Sequence, residues 1–252
     1  MRKSRLIGST TLVGLLAVPP AFAADLAPVK YRESQNLLWS GFYVGANGGF
    51  AWSADPQVDC LGLGGPCATT FPAPAAKGAE FGLQAGYNWQ IGNFVIGVEA
   101  DINKLAAQGL TSFPGIDPGK GPDQLSSRYD WLGTARGRVG VTAGSALFYA
   151  TGGFAYGRVG HDYLYGIGSP ANTQAFGLAE NQTGWTAGGG AEYAFNQNWS
   201  VRAEYLFVHL AGSNLDISGL RAINFGPNPP GTNFLRYHND LNIARVGVNY
   251  RF

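Results

Sequence analysis

Residues 81–102 read FGLQAGYNWQIGNFVIGVEADI. Bulky apolar side chains fall on alternate positions here: Phe81, Leu83, Tyr87, Trp89 and Ile91, then Phe94, Ile96, Val98 and Ile102. Glu99 and Asp101 take the opposite parity, as does Glu80 just upstream. A period of two marks β-strands, whose successive side chains point to opposite faces. Gly92-Asn93 splits the stretch in two, and a two-residue connection of this kind is the turn of an antiparallel hairpin.

The same alternation recurs along the chain, in segments near 41–53, 79–91, 94–103, 128–142, 147–157, 183–195, 199–210 and 239–252. The connections between them run about 25, 2, 24, 4, 25, 3 and 28 residues, long and short by turns. A meander of eight antiparallel strands with both termini on one side has three turns at that end and four loops at the other. Transmembrane barrels of outer membranes have this asymmetry, with tight periplasmic turns and longer extracellular loops. The expected loops are 54–78, 104–127, 158–182 and 211–238.

The two faces carry opposite chemistry. Apolar or aromatic residues continue on one parity through Tyr129 and Trp131, Trp185 and Tyr193, Val201 and Tyr205, and Val246 and Val248. The other parity holds Glu80, Glu99, Asp101, Arg128, Asp130, Arg136, Arg138, Glu192, Arg202, Glu204, Arg245 and Arg251, six acids and six arginines. A soluble sandwich or barrel turns its charges to water, whereas a membrane barrel turns its apolar face to lipid. An eight-stranded barrel has room inside only for its own side chains, so enclosed charges must pair. Arginine suits that task because its planar fork holds a carboxylate with two hydrogen bonds. The expected fold is all-β, an eight-stranded antiparallel up-and-down transmembrane β-barrel over 41–252 with a salt-bridged lumen. Trp39, Trp89, Phe94, Trp131, Trp199 and Phe252 are candidates for the interfacial aromatic girdles.

The start of the chain fits export. Arg2, Lys3 and Arg5 precede an apolar stretch to Val18, and Ala21-Phe22-Ala23 is a small-x-small cleavage site, so 1–23 reads as a signal peptide. Removing it takes three of 17 basic residues and none of 16 acids, leaving 14 − 16 = −2, which argues against nucleic acid. Residues 24–40 read as a periplasmic lead-in. Cys60 and Cys67, seven positions apart in an exported chain, are an expected disulfide, while a metal pair there lacks any neighbouring histidine. No metal or cofactor motif stands out: Gly188-Gly189-Gly190 lies inside a strand pattern and precedes no helix.

Several runs resemble one family. Ala24-Asp25-Leu26-Ala27-Pro28, Gly41-Phe42-Tyr43-Val44-Gly45, Trp131-Leu132-Gly133-Thr134-Ala135-Arg136-Gly137-Arg138 and Trp199-Ser200-Val201-Arg202-Ala203-Glu204-Tyr205 resemble the small porin-like or opacity-protein-like outer-membrane proteins of alphaproteobacteria. The close of the chain, with Val248, Tyr250 and a terminal Phe252, looks like the signal read by the outer-membrane assembly machinery. The resemblance covers nearly all of the chain after the signal peptide. It implies an integral outer-membrane protein in contact with outer-membrane lipid, lipopolysaccharide and that machinery. It leaves activity open, since members are described as structural, adhesive, haem-binding or weakly pore-forming, and the loop ligand is unknown. The leading expectation is a non-enzymatic structural and surface barrel. The alternatives are a small passive porin and, at a distance, a lipid-modifying enzyme using His161, His209 or His238 as base.

Overall fold

The computed structural model describes residues 39–62, 65–66, 71–115, 121–167, 173–220 and 233–252. Among the described residues ten strands follow one another: β1 Gly41–Ser53, β2 Val58–Gly62, β3 Gly65–Pro66, β4 Lys77–Ile91, β5 Phe94–Phe113, β6 Asp123–Ala143, β7 Ala146–Tyr165, β8 Gln174–Ala194, β9 Trp199–Asp216 and β10 Phe234–Arg251. Eight of them, β1 and β4 to β10, pair each with the next, and β1 pairs with β10 to close the ring. All these pairings are antiparallel. The hairpin β2–β3 adds to the far end of β10. Closure leaves no free sheet edge along the paired length, which is what a membrane demands of strands. At the short connections Gly92 and Gly144 sit at φ of 62° and 61°, where a side chain would be strained.

The strands run well past the segments that alternation marks. From β5 onward they are 18 to 21 residues long, so much of 104–127, 158–182 and 211–238 is strand and not loop. The reason is a change of phase. Next to the short turns the outward residues are apolar and exposed, as in Phe94, Ile96, Val98 and Ile102, while Glu99 and Asp101 are buried inside. Beyond Asn103 on β5 the outward positions become Lys104 and Gln108, and the inward ones become Leu105 and Ala107. The strand continues, with the wet and dry faces exchanged. Phe94 to Lys104 is ten residues, which at ~3.3 Å per residue and ~40° of tilt spans about 25 Å, the height of an apolar membrane band. Above it the barrel is an ordinary water-facing sheet with an apolar inside.

A β-bulge between Tyr129 and Trp131 on β6, opposite Val159 and Arg158 of β7, makes the same transition with a one-residue slip. Below it Thr134, Arg136 and Arg138 point inward; above it the inward residues are Leu125, Ser127 and Tyr129. This corrects three sequence-based placements. Tyr129 is buried in the lumen and not on the lipid face. Arg128 lies outside and pairs with Asp162 at 2.7 Å, and Asp130, at the bulge, faces Arg158 at 3.6 Å.

The inside is filled at every level. At the short-turn end Trp39, Val95, Leu147, Tyr149 and Ala194 form a cap. Trp39 is therefore not a girdle residue: it is 1% exposed, its backbone NH donates to Gln90 Oε1, and the Arg251 guanidinium lies 5.3 Å from its ring centre. Over the charged layer sits a second apolar layer that includes Leu105, Tyr129, Leu132, Leu206 and Ile243. At the loop end a third includes Phe71, Leu125, Tyr163, Ile217, Leu235 and Tyr237. The other girdle candidates do stand on the outside, Trp89, Phe94, Trp199 and Phe252 near the short turns and Trp131 at the upper edge of the band. Replacing Trp39 with Ala removes the cap's largest side chain and is expected to cost about 3 kcal/mol, the usual figure for such a cavity. Urea unfolding of the refolded protein in micelles measures it, and an unchanged midpoint would contradict the cap.

Candidate functional site: the charged lumen

Between the cap and the middle apolar layer, four arginines and four acids interlock. They come from β5 (Glu99, Asp101), β6 (Arg136, Arg138), β8 (Glu192), β9 (Arg202, Glu204) and β10 (Arg245). Strand pairing sets some of them directly across from each other: Glu99 opposite Arg136, Glu192 opposite Arg202, and Glu204 opposite Arg245. Others meet across the lumen, which an eight-stranded ring makes narrow enough for long side chains to span.

Arg136 is the hub. Its Nη2 donates to Glu99 and, at 2.8 Å, to Asp101 Oδ2, while Nη1 reaches Glu204 Oε1 at 3.1 Å. Arg245 Nε donates to Glu204 Oε2 at 2.8 Å, and its Nη2 lies 3.3 Å from Asp101 Oδ2. Arg202 donates to Glu99, and Arg138 Nη2 donates to Glu192 Oε2 at 2.9 Å. All eight side chains are at most 4% exposed, and the formal charge of the set is zero.

Neutral donors complete the layer. Tyr43 OH donates to Glu99 Oε2 at 2.6 Å, Tyr149 OH to Glu204 Oε1 at 3.0 Å, Thr134 Oγ1 to Asp101 Oδ2 at 2.7 Å, and Asn249 Nδ2 to Glu192 Oε1 at 2.9 Å. Arg138 also lies 4.1 Å from the Tyr149 ring centre, a cation–π distance. Two glycines make room for these phenols: a Cβ on Gly86 would meet Tyr43 OH at 2.4 Å, and one on Gly190 would meet Tyr149 OH at 2.7 Å. Sequence reasoning missed these polar partners, although Thr134 and Asn249 share the inward parity of residues it did name and Tyr43 lies on the parity opposite the apolar Phe42 and Val44.

The remaining predicted residues scatter. Glu80 is inward and buried beside this layer, with neither carboxylate oxygen hydrogen-bonded. Arg251 lies lower, donating to Gln197 O, and Arg128 and Asp130 are outside. Cys60 is disulfide-bonded; Cys67, the chain's other cysteine, lies outside the described residues, as do Ala21 and Ala23. Val248, Tyr250 and Phe252 face outward, and the Phe252 NH donates to Phe42 O.

The three histidines do not converge. His161 is 1% exposed in the upper barrel, within 2.9 Å of Ser127 Oγ and 3.0 Å of Asn239 Oδ1, and stacks on Tyr237. His209 and His238 sit on the outer wall beside Asp240 and Asp59. Among the described residues no cluster of three or more His, Cys, Asp or Glu side chains is placed to hold a metal ion.

A closed antiparallel ring, apolar outside and charge-paired within, defines an outer-membrane-type β-barrel. The chain belongs to the outer membrane protein beta-barrel domain family, whose model matches residues 9–252. It is 34% identical over 257 residues to the 31 kDa outer-membrane immunogenic protein of Brucella melitensis biotype 1, covering 98% of this chain and 95% of that one. The 22 kDa outer membrane protein of Rhizobium leguminosarum bv. viciae is 29% identical, covering 91% of this chain and 83% of that one. Among solved structures, the outer membrane protein OprG from Pseudomonas aeruginosa superposes with a TM-score of 0.53 at 14% identity, covering 85% of this chain and 97% of that one. The outer membrane protease OmpT from Escherichia coli gives 0.51 at 11% identity, with coverages of 84% and 97%, a likeness of fold alone.

Arg136→Gln leaves three buried carboxylates short of a donor and is expected to destabilise the barrel by roughly 3–5 kcal/mol. The double variant Arg136→Gln with Glu99→Gln is expected to lose less than the sum of the two single losses, because the pair is coupled. Urea unfolding in lipid vesicles reads both. A single-variant loss within about 0.5 kcal/mol, the range of an ordinary surface change, would remove the hub role of Arg136.

Proposed function

We propose that this protein is a non-enzymatic, closed barrel that serves the outer membrane as a structural and surface component, with its loop end outward. Recognition belongs to the connections at that end, 54–76, 114–122, 166–173 and 217–233, which the strand bounds delimit. The observation that carries this reading is the filled lumen: a Trp39 cap, a neutral charged layer and two apolar layers follow one another along the axis. A water-filled pore needs a wider ring, of roughly 16 to 18 strands. A base such as His161, buried beneath Tyr237, has no exposed face to offer a substrate. Orientation follows the general rule that tight turns lie on the periplasmic side. The Brucella relatives are named immunogenic, which suits a chain whose loops reach the outside.

Planar-bilayer recording of the refolded protein tests the reading, after heat-dependent gel migration has established folding. The expected result is an electrically silent barrel, with conductance rising in Trp39→Ala or Arg136→Gln. Steady openings of the unmodified protein would make it a porin.

A further inference from the structure

We propose that the outer wall of β5–β7 binds a phosphorylated glycolipid of the outer leaflet, its phosphates held by Lys104 and Arg158 on either side of Trp131. This rests on the orientation given above, which sets the upper rim of the apolar band at the outer leaflet.

The site follows from strand register. Lys104 on β5 pairs with Trp131 on β6, which pairs with Arg158 on β7, so the three lie in one row on the outer face. Adjacent strands are ~4.8 Å apart, which puts the Lys104 and Arg158 backbones about 10 Å from each other with Trp131 between them. A second row lies just above: Lys77 on β4 pairs with Gln108, which pairs with Arg128. Lys77 and Lys104 are exposed and form no ion pair among the described residues, and Arg158 is held only loosely, 3.6 Å from Asp130. Arg128 is committed to Asp162. With four cations against Asp130 and Asp162, the patch carries 4 − 2 = +2, although the whole chain after the signal peptide is net negative. On the opposite wall, where His209 meets Asp240 and His238 meets Asp59, Arg236 is the one fixed cation among the described residues.

Depth and shape select a lipid. The row stands at the top of the apolar band, where Lys and Arg meet headgroup anions and aromatic rings meet the interface. Tyr156 packs edge-on against Trp131 at 5.3 Å between centres, fixing the indole as a platform for a sugar ring. Below the row the outer wall is apolar and exposed, with Ile102 and Val98 on β5, Val139 on β6 and Phe154 on β7, a bed for acyl chains. Lysine supplies a mobile point charge and arginine a two-pronged donor, both matched to phosphate oxygens. Phosphates above, a sugar against an indole and acyl chains beneath are the parts of one amphiphile.

The test uses the refolded protein in zwitterionic dodecylphosphocholine micelles, where neither orientation nor conduction enters, so its failure leaves the closed-barrel reading untouched. A bis-phosphorylated acylated diglucosamine is titrated in, and bound lipid is counted by native mass spectrometry. The same titration is made with the dephosphorylated lipid and with phosphatidylglycerol. The expected result is one saturable site, with affinity at least tenfold weaker for the dephosphorylated lipid and for the Lys104→Gln, Arg158→Gln variant. The single Lys104→Gln variant, at an exposed position, is expected to weaken binding severalfold with unchanged gel migration. Arg236→Gln on the opposite wall is expected to bind as the unmodified protein does. Equal affinity for both saccharolipids, equal binding of phosphatidylglycerol, or undiminished binding by the folded variants would overturn the proposal.

Discussion

A carboxylate or guanidinium taken out of water costs several kcal/mol unless its partners come with it. The rest of this barrel is arranged around that constraint. Turning apolar residues to lipid forces the other parity of every strand into a narrow lumen. Eight strands leave no water channel there to solvate charges. The chain meets the demand with equal numbers of each sign, with arginine as the cation in every pair, and with phenols and amides on the remaining carboxylate oxygens. Glu99 shows the density required, accepting from Tyr43, Arg136 and Arg202 at once. Above and below, apolar layers keep this set dry, so the electrostatics and the packing depend on each other.

The membrane half of the fold was legible because its rule is simple. From Phe81 to Ile102 one parity stays apolar without a break and the other holds small, polar or charged side chains, apart from Val95 in the cap. The upper half was not legible, because a scan for a single apolar parity stops where the phase reverses. Leu105 and Ala107 continue β5 as surely as Ile102 does, on the other face. On β6 the reversal comes with a bulge, and alternation read straight through Tyr129 assigns it to lipid and Arg128 to the lumen, both incorrectly. Trp39 escaped for a different reason: an aromatic at a strand end suits a girdle and a cap equally well, and only tertiary contact with Val95 and Leu147 decides.

The polar layer was legible in charge and not in connectivity. Parity and composition place all eight of its members on the inward face of strand patterns, but which arginine meets which acid depends on the stagger of the ring. Arg138 reaches Glu192 two strands away, and Arg245 reaches Asp101 three strands away around the ring. The phase change that hid the upper strands also gives the outside its chemistry. It puts a ring of polar and charged side chains directly on top of an apolar wall, at the level where a membrane turns from hydrocarbon to headgroup.

The central claim is that single strands pass from lipid to water near Lys104 without ceasing to be strands. Nitroxide labels at Val98, Ile102, Ala106 and Gln108, all outward on β5, test it directly in reconstituted bilayers. The account predicts that collisions with oxygen dominate at Val98 and Ile102, that collisions with a water-soluble nickel chelate dominate at Ala106 and Gln108, and that all four labels are equally ordered. Lipid-like accessibility at Gln108, or a loosely tumbling label there, would contradict it.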